Sequence, residues 1–526
     1  MSDPLAGGGH LLRLAARRDR WMAPVWVAVL TLTCYASAAA TPGLYPTRAD
    51  RATAVDALNA SPGVVALYGP ILDRSSLGEL AMTKMTVTYS VLVAVMALFL
   101  VRRHTRSEEE DGRAELIGST AVGRLTPLLC AVGFAAAVSL ALGVLVATVN
   151  TLTGLPAAGS LAFGLTWAGT GLVGAAVAAV CCQLSASSRT CAALAAAVIA
   201  VLFVARAVGD TSDAGWLSWL SPFGWNTRVR AYGDTRWWVL GLHLATAVAG
   251  VAVAVGIRSR RDLGAGVLSA RPGPRSGARW LDGPLGLAVK GHAAMLAGWT
   301  GAVAAMGLLF GAISPHLEGL VSDETARLLE GLGGAGALRD TMIASICSIA
   351  ALLVCCFAVA VVTHAAADEH DGRTESVLAT PVTRSRLHTA LAVVTLGGVT
   401  WLLLVTGVAL AVGVRGNSDH TFGRIVLSAI AQAPAAWVVV AVALLLFGIG
   451  ARRAVLAWAV VVGFGTLGQI GELLGLPDAV VGLSPFTHVP HLPLDDPDPA
   501  SALALAAITG GLLALGRWAY LRRDVG

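Results

Sequence analysis

The sequence predicts an all-α integral membrane protein of about twelve transmembrane helices, arranged as two parallel six-helix repeats. Three observations carry this expectation. The 526-residue chain is 56% hydrophobic and only 13% charged, whereas soluble domains run near a quarter charged. Apolar runs long enough to cross a bilayer, which takes about 20 residues, recur twelve times along it. A charged segment between two of these runs then returns, without a gap, 260 residues later.

Taken in order, the runs lie near 22–40, 83–101, 127–149, 158–182, 190–209, 237–257, 293–314, 342–363, 388–413, 425–449, 454–475 and 500–520. Arg13, Arg17, Arg18 and Arg20 precede the first. Ala36-Ser37-Ala38 near its end imitates a signal-peptide cleavage site, but the two-fold organisation requires the segment to stay. Arg102, Arg103 and Arg106 follow the second run, and Arg189 separates the fourth from the fifth. Arg258, Arg260, Arg261, Arg271, Arg275 and Arg279 fill the link after the sixth, Arg452 and Arg453 follow the tenth, and Arg522 and Arg523 the twelfth. Basic loops face the cytoplasm, so all of these share one side if both termini are cytoplasmic and the protein sits in the plasma (inner) membrane. The opposite loops are acidic, with Glu318, Asp323, Glu324 and Glu330, then Asp478, Asp495, Asp496 and Asp498. Arg228, Arg230 and Arg236 are the exception.

Composition also excludes. No stretch interleaves basic and aromatic residues as a nucleic-acid site does. The eight cysteines, inside or beside oily runs, form no C-x-x-C, so apolar packing is expected of them rather than metal or redox chemistry.

The repeat is specific. Of the 21 positions in His104–Arg124 and His364–Arg384, nine are identical. "LSPF" at 220–223 recurs at 483–486, and "LAARRDRWMAPVW" (14–26) faintly matches "LAVKGHAAMLAGW" (287–299). Each half holds an even number of runs, so both enter the membrane the same way up, which predicts parallel repeats about an axis along the membrane normal. The expected division is a first repeat over 1–257, a cytoplasmic linker over 258–284 and a second repeat over 285–526.

Within the repeated segment, "EEEDGRAELIGSTAVGR" (108–124), the second run is expected to continue as a helix through Arg102–Glu110. Gly112 then ends it in the left-handed conformation. Arg113–Ser119 is long enough for roughly two turns of a short second helix, and Thr126-Pro127 supplies the cap and first turn of the next run. The second copy, "DEHDGRTESVLATPVTR" (368–384), is expected to do the same with Gly372, Arg373–Ala379 and Thr380-Pro381. The result is a charged elbow that a partner surface would complete. Acids contribute little to membrane orientation, so topology alone does not account for Glu108, Glu109, Glu115, Asp368, Glu369 and Glu375 around Gly112-Arg113 and Gly372-Arg373.

Both segments resemble the E-E-x-x-G-R-x-E-x-L…T-P-V-x-R element of ABC-2-type exporter permeases, where it forms the coupling helix between transmembrane helices 2 and 3. "LSPFGWNTRVRAYGDTRWW" (220–238) and "LSPFTHVPHLP" (483–493) resemble the actinobacterial branch that exports polyketide antibiotics, related to the tetronasin transporter permease. The resemblance covers the whole chain as two fused permease halves. It implies a type V-like exporter fold, with the SPF segments in extracytoplasmic or re-entrant elements before the sixth and twelfth helices. The copies differ where Glu110 is matched by His370, which leaves the two elbows unequal.

Such a permease is driven by ATP. The phosphate-cradling G-x-x-x-x-G-K-[ST] loop needs a Gly-Lys pair, and the only lysines stand in Thr83-Lys84-Met85 and Val289-Lys290-Gly291. This chain is therefore expected to hold no cofactor and not to be an enzyme; Mg-ATP belongs on a separate ABC ATPase subunit. With both elbows in one chain, two ATPase copies are expected per permease. Their closure is expected to draw the elbows together and rock the halves around a midplane site. The cargo implied is small and amphipathic, antibiotic- or drug-like.

Ionisable residues inside spans are costly and usually functional. Arg206 in the fifth run and Glu472 in the eleventh, with Gln469 as the direct counterpart of Arg206, are the candidate substrate pathway, set against simple snorkelling to an interface. Gln432, His243 and Lys84 are weaker candidates. His488, His491, Asp495, Asp496 and Asp498 could bind metal, but a solvated Pro-rich loop fits them better. A major-facilitator-type transporter shares twelve spans in two halves. Its G-x-x-x-D-R-x-G-R loop finds only a loose echo in Asp111-Gly112-Arg113, and the loop here is acidic. A polytopic membrane enzyme would need a large external acidic or metal cluster, for which 488–498 is the one candidate.

Overall fold

The computed structural model describes residues 6–60, 62–268, 276–313, 335–414, 420–470, 477–490, 492 and 499–524. Among them there is no strand, and twelve helices are long and apolar enough to cross a membrane. These are span 1 (Met22–Leu44), span 2 (Leu77–Glu110), span 3 (Thr126–Leu152), span 4 (Ala157–Leu184), span 5 (Ser188–Thr211), span 6 (Trp238–Arg260), span 7 (Pro284–Ala312), span 8 (Met342–His370), span 9 (Arg384–Gly413), span 10 (Phe422–Ile449), span 11 (Ala451–Gly468) and span 12 (Pro499–Arg522). This is the integral membrane architecture that composition predicts. The chain divides into two compact units, Met1–Gly273 and Pro274–Gly526.

In the first unit span 4 is the hub, touching spans 2, 3, 5 and 6. Its sequence is rich in Gly, Ala and Thr, and small residues let helix backbones approach closely where lipid supplies no hydrophobic drive. A Cβ at Gly164 would lie 2.2 Å from the Gly143 carbonyl of span 3, and one at Gly143 would lie 2.5 Å from the Gly164 carbonyl. Trp167, Met82, Met96, Leu100, Leu142 and Phe223 fill the core around this crossing.

Span 2 contains a π-turn at Met85–Tyr89. Such a turn frees backbone carbonyls, and in a membrane interior these must find internal donors. Trp167 Nε1 donates to the Met85 carbonyl at 3.0 Å and Asn226 Nδ2 to the Thr86 carbonyl at 3.1 Å. Asn226 also donates to Ser90 Oγ (3.0 Å), accepts from Thr170 Oγ1 (3.1 Å) and lies 3.0 Å from His243 Nε2. Asn226 comes from the helix Pro222–Arg228, capped by Ser221 of the first SPF segment. The SPF segment thus carries a polar plug into the bundle, and its Ser221 and Phe223 are buried.

Two features beside the spans were not anticipated. An amphipathic helix, Gly8–Arg18, precedes span 1 and packs on span 3. The segment between spans 1 and 2 is itself helical, at Arg48–Ala60 and Pro62–Tyr68, and Asn59 pins its end by exchanging hydrogen bonds with the Ile71 backbone at 2.8 and 3.0 Å.

The second unit packs span 7 on span 9 through glycines, a Cβ at Gly311 meeting the Leu410 carbonyl at 2.4 Å. Span 10 packs on span 12 where a Cβ at Gly448 would meet the Gly516 carbonyl at 2.3 Å. Phe357, Leu402, Leu403 and Leu444 lie at the centre. Span 10 is broken, with helix His420–Ile430 ending before Ala433–Ile449. Pro434 follows the break and cannot donate back into the preceding turn. Gln432, flagged for its polarity, sits buried at this break and starts the second segment. The second SPF segment is also buried at Ser484, Pro485 and Phe486, with Ser484 Oγ donating to the Phe464 carbonyl of span 11 at 2.9 Å.

Candidate functional site

Span 2 runs on through His104, and after a break at Thr105 the helix Arg106–Glu110 continues it. Gly112 then adopts the left-handed conformation, φ 72°, and starts the elbow helix Arg113–Gly118. No Cβ obstacle lies within 4 Å of Gly112, so its positive φ is the reason for glycine here. The second elbow repeats the construction: span 8 ends at His370, Gly372 has φ 73°, and the elbow helix is Arg373–Leu378.

The start of the next span is less uniform. In the first unit Thr126 and Pro127 open span 3 inside its first turn, and the Thr126 hydroxyl donates to the Ala6 carbonyl at 3.1 Å rather than capping the helix. In the second unit Thr380-Pro381 does not start span 9. Thr383 caps it, accepting from the Arg386 amide at 3.3 Å, while Thr380 donates its hydroxyl to Val377 at 2.6 Å and closes the elbow helix. Thr383, one turn after Thr380, offers the same capping chemistry and takes the cap position.

The acids that open the elbow face inward. Glu108, 8% exposed, accepts from Arg113 Nε and Nη2 at 2.9 and 3.2 Å and pairs with Arg18 of the amphipathic helix. That pairing, reinforced by Asp111, pushes the Arg113 guanidinium above its usual range. Glu109 pairs with Arg106 and takes both oxygens to Arg261 Nη2, at 2.8 and 3.0 Å. Glu110 accepts from the Ser188 amide at 3.0 Å, at the N-terminus of span 5, where helix dipole and open amides favour an anion. Arg124 at the far end of the elbow donates to the Arg261 carbonyl at 2.9 Å. The second unit builds the same clamp. Asp368 accepts from Arg373 at 3.0 Å, Glu369 pairs with both amino groups of Arg523, and Arg384 donates to the Arg523 carbonyl at 2.9 Å.

Arg261 and Arg523 are clamp residues that read in the sequence only as basic residues orienting the loops. Their signal is short but present: "RRD" at 260–262 after the sixth span recurs at 522–524 after the twelfth. What the elbows present to solvent is the outer face of the short helices: Glu115 with Leu116, which is 71% exposed, and Glu375 with Ser376.

Arg206 is fully buried, and both terminal amino groups of its guanidinium are engaged while Nε meets no partner among the described residues. Its guanidinium donates to the carbonyls of Val65 (3.2 Å), Ala66 (2.6 Å) and Leu67 (3.4 Å) and pairs with Asp210 at 3.2 Å, one turn along span 5. A cation here satisfies the open carbonyls at the end of helix Pro62–Tyr68. Asp210 in turn accepts from Ser218 at 2.5 Å. Glu472 and the side chain of Gln469 lie outside the described residues.

The comparisons with known proteins bear on the whole chain. The family model described as "Multidrug efflux system permease Rv1217c, C-terminal domain" matches residues 9–259 and 281–521. The chain belongs to this permease family. It is 39% identical over 523 residues to the multidrug efflux system permease protein Rv1217c of Mycobacterium tuberculosis (strain ATCC 25618 / H37Rv), covering 98% of this chain and 94% of that protein. The ABC-2-type resemblance seen in the elbows holds at the level of the family, and the major-facilitator alternative is not favoured.

In this multi-pass membrane permease the remaining polar candidates have structural surroundings. His243 lies against Asn226 and the Trp225 ring, centroids 5.1 Å apart. His488 bonds the Gly482 carbonyl at 2.8 Å, and His491, Asp495, Asp496 and Asp498 lie outside the described residues. Among the described residues no group of three or more His, Cys, Asp and Glu is arranged to hold a metal.

Proposed function

We propose that this permease is the membrane subunit of an ATP-driven exporter at the plasma membrane, with cytoplasmic termini, and that it moves amphipathic drug-like compounds outward. A separate ABC ATPase, two copies per chain, docks on the elbow helices. The observation that carries the reading is the duplicated clamp. In each unit the acids Glu108 and Glu109, or Asp368 and Glu369, hold a short helix in place through Arg113 and Arg261, or Arg373 and Arg523, and leave its outer face free. Gly112 and Gly372 set the angle of that helix. A clamped handle set between spans 2 and 3, and another between spans 8 and 9, passes a push from a soluble motor into the membrane. The docking contact is then made by Glu115 and Leu116 on one elbow and by Glu375 and Ser376 on the other, with Arg113 and Arg373 at the margin.

Family membership supports efflux, since the relative is itself named a multidrug efflux permease. For the pathway, Arg206, Gln469 and Glu472 stand as a proposal, with Arg206 also serving as a fastening for the helix before span 2. The function is tested by reconstituting the permease with its ATPase and following Hoechst 33342 export. Export that needs ATP and survives an uncoupler supports the reading; export that collapses with the proton gradient and ignores ATP overturns it.

A further inference from the structure

Beneath the first elbow lies a cavity of about 950 Å³, walled by the amphipathic helix, the elbow helix and the ends of spans 2, 3 and 6. Its apolar walls include Leu11, Leu14, Ile117, Val122 and Leu128. Arg258 of span 6 also lines it, is only 6% exposed, and makes no hydrogen bond or ion pair among the described residues. The charges acting on Arg258 are Glu109 against Arg261, Arg124 and Arg106, and Glu109 is already held by Arg106 and Arg261. Glu108 is held by Arg18 and Arg113, and the lining acids Glu115 and Asp262 are exposed. Arg258 is therefore a largely buried surplus cation whose guanidinium nitrogens keep some accessible surface at the chamber it lines and have no protein partner among the described residues. Buried charges are paired as a rule, because an unpaired one loses its hydration without return.

The volume falls in the range of small-molecule sites, roughly 300–1,000 Å³. One cation without a partner, among charges that are paired or exposed, beside apolar walls of Leu11, Leu14, Ile117, Val122 and Leu128, recognises one chemistry. We propose that this cavity binds an anionic amphiphile, a phosphate or carboxylate head on Arg258 with its hydrocarbon tail against Leu11, Leu14 and Leu128. This goes beyond the export reading and does not depend on it.

The second unit supplies a contrast. Its smaller cavity, about 290 Å³, lies under the second elbow and is lined by His292, His364, His388 and Tyr520. By the "RRD" register Tyr520 stands where Arg258 does, and its ring stacks on Phe447 with centroids 5.5 Å apart. The lining arginine there, Arg373, is paired with Asp368. Among the described residues, the second cavity offers no counterpart of Arg258.

The test uses the purified full-length permease and two probes. Retained phosphatidylglycerol against phosphatidylcholine is counted by native mass spectrometry, and dansyl-undecanoate is titrated by fluorescence. Arg258→Gln should weaken binding by roughly tenfold or more, the loss expected for a charge-assisted hydrogen bond, while Arg258→Lys retains most of it. Ile117→Trp, which crowds the apolar wall and leaves Arg258 itself unchanged, should also weaken probe binding and serves if Arg258→Gln does not fold. Loss confined to phosphatidylglycerol identifies a membrane lipid as the occupant; loss confined to dansyl-undecanoate identifies a free amphiphile. Binding of both probes unchanged in either well-folded variant, Arg258→Gln or Ile117→Trp, overturns the proposal.

Discussion

Arg206 shows how one residue decides local structure in a lipid-embedded protein. Three backbone carbonyls and one carboxylate converge on its guanidinium in a fully buried setting. Removing it leaves Asp210 charged without its cation and the end of helix Pro62–Tyr68 uncapped. Arg206→Ala is therefore expected to destabilise the permease by about 3–5 kcal/mol, the cost of breaking a buried pair, read as a lowered thermal unfolding midpoint in detergent. Arg206→Lys should recover only part, because an ammonium cannot span several acceptors as the planar fork does. If the pathway proposal also holds, Arg206→Lys should lower export by more than its stability loss explains. The sequence marks Arg206 as an ionisable residue inside a run, but sets it beside Glu472 in the other half rather than beside Asp210, four residues along. The three carbonyls were not legible, because backbone acceptors leave no mark in the side-chain pattern.

Among elements, the elbow and the glycine crossing are the informative ones. The elbow's helix, its glycine and its hinge position were readable from the repeated Gly-Arg and the flanking acids. The direction its acids face was not, because the arginines that turn them inward, Arg18, Arg261 and Arg523, lie far away in sequence. Glu109→Gln should loosen the first elbow alone. Amides of Arg113–Gly118 are expected to exchange at least about tenfold faster, as befits loss of a charge-assisted bond, while those of Arg373–Leu378 stay unchanged. Glu369→Gln should give the reverse pattern. At the crossing of spans 3 and 4, Gly164→Ala forces a methyl against the Gly143 carbonyl. Overpacking of this kind costs about 1–3 kcal/mol, measurable as a lower unfolding midpoint, whereas Gly133→Ala, with open space around its Cβ site, should have little effect.

For the whole molecule, hydropathy was the strongest guide. All twelve spans overlap their sequence-based positions, with the largest departures at the end of span 2 and the start of span 7, since a bilayer demands long apolar runs and little else mimics them. The helices that lie outside the apolar stretches escaped, namely Gly8–Arg18, Arg48–Ala60 and Pro62–Tyr68. Their stability comes from packing and from single contacts such as Asn59 on Ile71, not from a run of one residue class. The break at Gln432 escaped for the converse reason, being too short to interrupt a hydropathy window, although Pro434 marked it.

The central claim is that the outer faces of the two elbow helices grip a separate ATPase. Co-elution of that ATPase with purified permease tests it most directly, comparing the native chain with the variant Glu115→Arg/Leu116→Asp/Glu375→Arg/Ser376→Arg. These side chains are exposed, so the variant should elute as a folded, monodisperse protein. The account predicts that the native permease retains two ATPase copies and the variant retains almost none. A folded variant that still carries its full complement of ATPase would contradict it.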